Sequence, residues 1–207
     1  MGFDYDAELK HSLFQSLAAL ADAIALREAQ AMDHQRNVSQ VARTIAQLMG
    51  MGQEETESVR VAATLHDIGF ILVPSGILNK PGPLDESEMA VVRQHPVYGA
   101  EIVKDIEYPW PVAEIILQHH ERIDGSGYPQ GLKGDDIMLE ARIIGVADVI
   151  ESMLAPRPWR GALSLEEALK EILDGSGTKY DPQVVEACVE LYTKERHRLD
   201  PEYYGRG

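Results

Sequence analysis

The sequence predicts an all-α fold. Apolar residues recur three and four apart along nearly the whole chain, no alternating strand pattern or internal repeat interrupts them, and helix-start signatures punctuate it from Asp85 onward. The first predicted helix, over 5–31, contains LKHSLFQSLAALADAIAL, apolar at helical spacing. The next, over 35–49, is stopped by Gly50, and a third over 53–67 carries the apolar string VRVAATLHD. Asp85 with Glu88 three residues on forms a capping box that opens a helix over 86–94. Helices over 97–106, 110–120 and 139–154 follow from periodicity. Ser164 with Glu167 opens a helix over 164–174 that Gly175 ends, and Asp181 followed by Pro182 opens the last, over 182–196. Two long connections remain, Ile68 to Leu84 and Glu121 to Met138. Both are rich in Gly and Pro, and long ordered loops in a compact domain tend to carry function.

Composition bounds the function. A chain of 207 residues with 44% apolar and 26% charged content suffices for one sizeable core. Thirty-four acidic residues against nineteen basic ones give a formal charge of -15, a field that repels nucleic-acid backbones and anionic lipid. Long nucleic acid is therefore not an expected partner. A small anion is compatible, because bound divalent cations invert the sign of the field inside a site. No apolar run reaches the roughly 18 residues of a membrane span, and the start MGFDYDAELKHSL lacks the order of a signal peptide. A cytoplasmic location is expected. The single cysteine, Cys188, lies in the helical pattern VVEACVELY and reads as a buried thiol.

Three features point to metal chemistry. His66 and Asp67 close an apolar helix, which sets an imidazole and a carboxylate side by side at the edge of the core. A buried carboxylate becomes neutral unless a cation compensates it, and a metal ion is one such cation; a capping Asp beside a hydrogen-bonded His is the alternative. Asp148, flanked by apolar neighbours in LEARIIGVADVIESML, poses the same choice between a metal and a structural ion pair, and Gly145 one turn before it suggests a close approach. His34, His66, His95, His119 and His120 all lie at helix ends or beside turns, and neutral imidazole is a common metal ligand. Adjacent His119 and His120 point about 100° apart on a regular helix, so both reach one centre only where the helix ends. His11 and His197 sit in surface-like segments and read as solvated.

In order and spacing, HDIG at 66–69, VPSGILNKPGPL, HPVYGAEIV from His95, HHERIDGSGYPQGLKGDDI from His119, ARIIGVADVIESM and RPWR resemble the HD-GYP family of bacterial cyclic di-GMP phosphodiesterases. The likeness runs from about residue 25 to 187 and implies an HD-domain helical bundle over 25–196, with a helical extension at 1–24 and a tail at 197–207. By resemblance, His34, His66, Asp67 and Asp148 would hold one divalent metal and His95, His119 and His120 a second, with Asp67 bridging. Iron or manganese suits this mixed set better than a closed zinc site. The implied reaction hydrolyses cyclic di-GMP to pGpG and perhaps GMP, through a hydroxide formed from water whose pKa falls from about 15.7 towards about 7 on the metals. Asp67 and His66 would be the catalytic pair. Gly127, Tyr128 and Pro129 resemble the loop that lines the substrate pocket, and Arg157 and Arg160 its phosphate-contacting pair.

This chain departs from the family pattern in three places. The residue after HDIG, usually a lysine at the scissile phosphate, is Phe70. Loss of a preorganised cation at a transition state costs on the order of 10²-fold or more in rate. Three alternatives stay open: a slow enzyme, recruitment of Lys80 or an arginine, or a sensor or adaptor that binds the dinucleotide without turning it over. Glu151 stands where aspartate is usual, and Gln30 where some members place a third-metal carboxylate, so two metals are expected. The N-terminal helix is compatible with a homodimer contact or a connector to other signalling proteins. Cyclic GMP-AMP is not separable from cyclic di-GMP at this level.

Overall fold

A computed structural model describes residues 34–156, 160–195 and 199, together with Gln15, Ser16, Ala19, Ala21 and Ala23. Those five are helical, and Ala21 is wholly buried, while the rest of the helix expected over 5–31 lies outside the described residues. So do Gln30, His11, His197 and Arg157.

Among the described residues the secondary structure is helical, with no β-strand. The helices are α1 (His34–Leu48), α2 (Gln53–Leu65), α3 (Ser75–Leu78), α4 (Glu86–Val92), α5 (His95–Val103), α6 (Val112–Gln118), α7 (Leu139–Leu154), α8 (Leu165–Asp174) and α9 (Pro182–Thr193). Short 3₁₀ turns at Ile68–Leu72 and Gly134–Asp136, and α3 itself, fall inside the two connections expected to be loops.

The capping signals act as the sequence implies. Asp85 accepts from the Glu88 N–H at 2.9 Å while Glu88 accepts from the Asp85 N–H at 2.8 Å, and Ser164 and Glu167 repeat the arrangement. The Asp181 side chain accepts from the Gln183 N–H at 2.8 Å. Gly50 adopts φ 76°, the left-handed conformation that turns the chain out of α1, and the Met51 N–H returns to the Ala46 carbonyl. Gly175 ends α8 for a different reason. Its φ is -87°, but a Cβ there would lie 2.6 Å from the Tyr180 ring, so close packing rather than handedness selects glycine. Helix α5 starts two residues earlier than expected because Pro96 fits the first turn, where its missing N–H costs nothing.

Helix α7 is the axis of the molecule. It is apolar around most of its circumference and buries Ile143, Ile144, Val146, Ala147 and Ile150 against α1, α2, α6 and α9. Val38, Val41 and Ile45 from α1, Val59 and Leu65 from α2, Ile115 and Ile116 from α6, and Val184 and Leu191 from α9 complete the core. Each such side chain contributes about 1.5–3 kcal/mol by leaving water. A central helix of this kind carries whatever polar residue it holds into the interior. Asp148 is thereby buried, and Glu151 one turn on is buried with its carboxylate accepting from the Tyr192 hydroxyl at 2.8 Å. Cys188 is wholly buried and free, as its helical setting implies.

Candidate metal centre

Helix ends supply the centre. Helix α2 stops at Leu65, and the chain tightens through His66 and Asp67 into the 3₁₀ turn. The His66 Nδ1–H donates to the Ala63 carbonyl at 2.7 Å. His95 repeats the device with the Val92 carbonyl at 2.9 Å, and His119 with the Ile116 carbonyl at 2.6 Å. In all three the carbonyl is three residues earlier, so a helix end fixes the tautomer and leaves Nε2 facing the interior. Such backbone bonds orient metal-ligating imidazoles and raise their basicity. Helix α6 ends at Gln118, and the Glu121 N–H closes a tight turn on the Gln118 carbonyl at 2.8 Å. His119 and His120 therefore lie in the closing turn just past the helix, and their ring centres lie 4.1 Å apart.

The seven expected ligands converge. His34 Nε2 lies 3.1 Å from Asp148 Oδ1, and His66 Nε2 lies 4.0 Å from that oxygen. Asp67 faces both halves: Oδ2 is 3.3 Å from His66 Nε2 and 3.9 Å from His34 Nε2, while Oδ1 is 3.3 Å from His95 Nε2. His95 Nε2 and His119 Nε2 are 3.3 Å apart, and His120 Nδ1 is 4.0 Å from Asp148 Oδ2. Nitrogen and oxygen ligands held about 2.0–2.2 Å from one ion lie roughly 3.0–3.5 Å from each other, which is the spacing of the closer pairs.

Electrostatics also suit a cation. Burial works against ionising Asp67 and Asp148, yet the surrounding imidazoles hold both carboxyls below their ordinary range. Burial alone would lower the His66 pKa, but the adjoining Asp67 charge, with help from Asp148, carries it up to about 9. The carboxylate half thus demands a positive charge, either a proton on His66 or a cation in its place. The other half differs. Burial drives His120 down to about 3, lowers His95, and with neighbouring imidazoles pushes His119 well below its usual value, so all three offer neutral lone pairs. His66 Nε2 and His34 Nδ1 are buried without a hydrogen-bond partner, an arrangement that costs free energy unless something ligates them. The residues present fit divalent metals in two groups, His34, His66 and Asp148, and His95, His119 and His120, joined through Asp67.

Two glycines bring these elements together. A Cβ on Gly69 would lie 2.0 Å from the His95 carbonyl oxygen, so the HDIG turn sits directly on α5. A Cβ on Gly145 would lie 2.7 Å from the His119 carbonyl oxygen, which is the close approach the mid-helix glycine suggested.

The expected substrate residues are distributed unevenly. The Tyr128 ring stacks on His120 with centres 4.7 Å apart, and the Tyr128–Pro129 peptide is cis. Gly127 presses on the chain after the double histidine, where a Cβ would lie 2.4 Å from the Arg122 nitrogen. Lys80 pairs with Glu88 at 2.5 Å, and the Arg160 guanidinium donates to the Ser152, Met153 and Gly161 carbonyls at the end of α7, so both cations are engaged within the protein. Phe70 is stacked on His95, with ring centres 4.2 Å apart and planes at 13°.

Sequence reasoning missed Glu121. Buried directly after the double histidine, its carboxylate accepts from the Gln130, Gly131 and Leu132 N–H groups at 2.6, 3.1 and 3.0 Å and clamps the far end of the GYP loop. An acidic residue next to a Gly-rich loop was the available signal, but the loop's return path is tertiary. Gln118, which accepts from the Met138 N–H at 2.8 Å and closes the other end of that connection, was missed for the same reason.

The HD domain family model matches residues 18–184. The cyclic di-GMP phosphodiesterase response regulator RpfG of Xanthomonas campestris is 41% identical over 177 residues, covering 84% of this chain and 47% of that protein. A solved structure described as a HDG"Y"P protein from Bdellovibrio bacteriovorus superposes with a TM-score of 0.65 at 25% identity, over 77% of this chain and 51% of the other. The chain belongs to the HD-GYP family of HD domains. This HD-GYP chain is also 34% identical over 185 residues to the 3'3'-cGAMP-specific phosphodiesterase 2 of Vibrio cholerae, covering 88% of this chain and 35% of that protein. It therefore spans about half the length of its first relative and less of the second. The HD motif is His66–Asp67 and the GYP motif Gly127–Tyr128–Pro129, whose Tyr128 stacks on His120 of the double histidine.

Proposed function

We propose that this chain is a metal-dependent phosphodiesterase that hydrolyses cyclic di-GMP to pGpG, with its catalytic unit at 25–196. The observation that carries the reading is the two-sided placement of Asp67, whose oxygens face His66 and His34 on one side and His95 on the other. RpfG carries the activity in its name, and this chain matches it over 84% of its own length. Iron or manganese suits the mixed imidazole and carboxylate set. Bound ions of this type activate water for attack on phosphorus and neutralise charge gathering on the phosphoryl oxygens.

The chain's own residues do the rest. His66, His95 and His119 are held by the backbone with Nε2 turned inward, so the centre is assembled before substrate arrives and little reorganisation accompanies reaction. Asp67 and Asp148 would offset part of the charge of two divalent ions. Tyr128 forms the wall beside His120, and its hydroxyl, raised in pKa by burial and by the carboxylates of Asp148 and Asp67, stays protonated and can donate to a phosphate or guanine oxygen. Arg157 and Arg160 complete the proposed substrate set, with Arg160 braced on α7. One observation favours a second reading, a dinucleotide-binding sensor: the Phe70 ring lies on His95 where relatives usually carry lysine, so no cation is supplied there for the leaving oxygen.

Hydrolysis of cyclic di-GMP by protein reconstituted anaerobically with iron or manganese separates the readings. Release of pGpG that stops on chelation, and is absent in Asp67→Ala with its helical circular dichroism retained, is the expected result. Full metal content in Asp67→Ala would overturn the ligand assignment. Tight binding with two metals and no product would select the sensor, and faster cleavage of cyclic GMP-AMP would reassign the substrate.

A further inference from the structure

Positive charge is scarce around the centre, and most of it is already engaged. Arg122 donates to the Glu121 carbonyl at 2.8 Å and lies over the Tyr180 ring, Arg142 bonds Asp181 at 2.7 Å, Lys80 pairs with Glu88, and Arg160 is spread over three carbonyls. Arg93 differs. It follows α4 on an exposed turn, two residues before His95, and its guanidinium carbon lies 5.5 Å from the centre of the Tyr128 ring. Its backbone N–H bonds the Met89 carbonyl at 2.9 Å, but among the described residues its side chain makes no hydrogen bond and no ion pair. Tyr128 stacks in turn on His120, whose ring meets His95 edge to face at 4.9 Å. A continuous series of rings thus runs from Arg93 at the surface to the metal-facing imidazoles.

A guanidinium seated over an aromatic ring uses its face and keeps its in-plane N–H groups free, and that planar fork matches the spacing of two phosphate oxygens. The ring fixes the position of the cation, so little side-chain freedom remains to be lost when an anion arrives. In a chain of formal charge -15, with an apolar ring at position 70, an uncommitted guanidinium beside the GYP loop is the local exception.

We propose that Arg93 anchors a phosphate of the bound cyclic dinucleotide and supplies the positive charge that position 70 lacks. This rests on the reading of the site as a cyclic-dinucleotide phosphodiesterase. Arg93 acts on the substrate from the Tyr128 side of the centre, so it substitutes for the missing lysine in binding and not at its location.

The test uses the full chain loaded with manganese, as wild type, Arg93→Met and Arg93→Lys. Binding of a hydrolysis-resistant bis-phosphorothioate analogue of cyclic di-GMP is followed by calorimetry, alongside kcat, KM, metal content and melting temperature. Arg93→Met keeps an unbranched arm on Tyr128 but removes the charge. It is expected to weaken analogue binding about 10- to 100-fold and to raise KM in proportion, with metal content and melting unchanged. Arg93→Lys should recover part of the loss, and Arg93→Met should bind with a shallower dependence on salt. Analogue binding by Arg93→Met within about twofold of wild type would overturn the assignment and leave the phosphodiesterase reading intact. Loss of metal in Arg93→Met would overturn it too, by showing that Arg93 supports Tyr128 and His120 instead. A metal-loaded wild type that neither binds nor cleaves cyclic dinucleotides would overturn the reading of the site, and this proposal with it.

Discussion

Gly145→Ala sets helix propensity against the geometry of the metal centre. In an open helix this substitution stabilises by about 1 kcal/mol, and in a domain of this size that raises the melting temperature by about 2–4 °C. Here the new Cβ would lie 2.7 Å from the His119 carbonyl oxygen and 3.2 Å from Arg122 Nη1. The arginine arm can swing away, but the carbonyl belongs to backbone held by the turn from Gln118 to Glu121. Relief therefore requires the His119 backbone to retreat by roughly half an ångström, and overpacking of that kind costs about 1–3 kcal/mol. The net expectation is a loss of about 1 kcal/mol and a melting temperature lower by about 3 °C. His119 also places Nε2 3.3 Å from that of His95, so the same retreat spoils a proposed ligand set. Metal retention under chelator competition, measured beside thermal unfolding, is expected to weaken by about tenfold or more, as when the support of a metal-ligating histidine is lost. A variant that melts higher than wild type and holds its metals equally well would refute the argument that close approach selects glycine here.

Three further expectations follow from particular contacts. Glu121→Gln replaces a carboxylate that accepts three backbone N–H groups with an amide that presents only one oxygen, a loss of about 1.5–3 kcal/mol; faster limited proteolysis within 124–131 and a raised KM should result, and an unchanged cleavage rate would show that the clamp is dispensable. Phe70→Lys exchanges the ring stacked on His95 for a cation, so turnover should rise by about tenfold while stability falls by about 0.5–1.5 kcal/mol. An unchanged or lower kcat would count against a missing cation as the limiting factor. Cys188 is wholly buried and burial pushes its thiol pKa up, so it stays neutral and shielded at pH 7–8. Labelling by a disulfide reagent should await unfolding, and rapid modification of the native protein would contradict the packing of α9 on α7.

The sequence by itself determined the class of fold and singled out the seven residues proposed as metal ligands. Helices, caps and stops rest on contacts within about four residues, so Asp85, Ser164, Asp181 and Gly50 could be read locally. The seven histidines and aspartates could be named because their order and spacing resemble one family. Even the inward aim of His66, His95 and His119 is nearly local, since each is fixed by a carbonyl three residues earlier. Tertiary structure decided how these residues meet. His34 and Asp148 are 114 positions apart and lie 3.1 Å from each other, and the two faces of Asp67 exist only because α1, α5 and the end of α2 converge on it. The Glu121 clamp, the Phe70 stack on His95 and the seat of Arg93 on Tyr128 have the same origin. Periodicity along a chain records which face of a helix is buried, but the partner across that face depends on how α7 is surrounded, and no short-range signal encodes it.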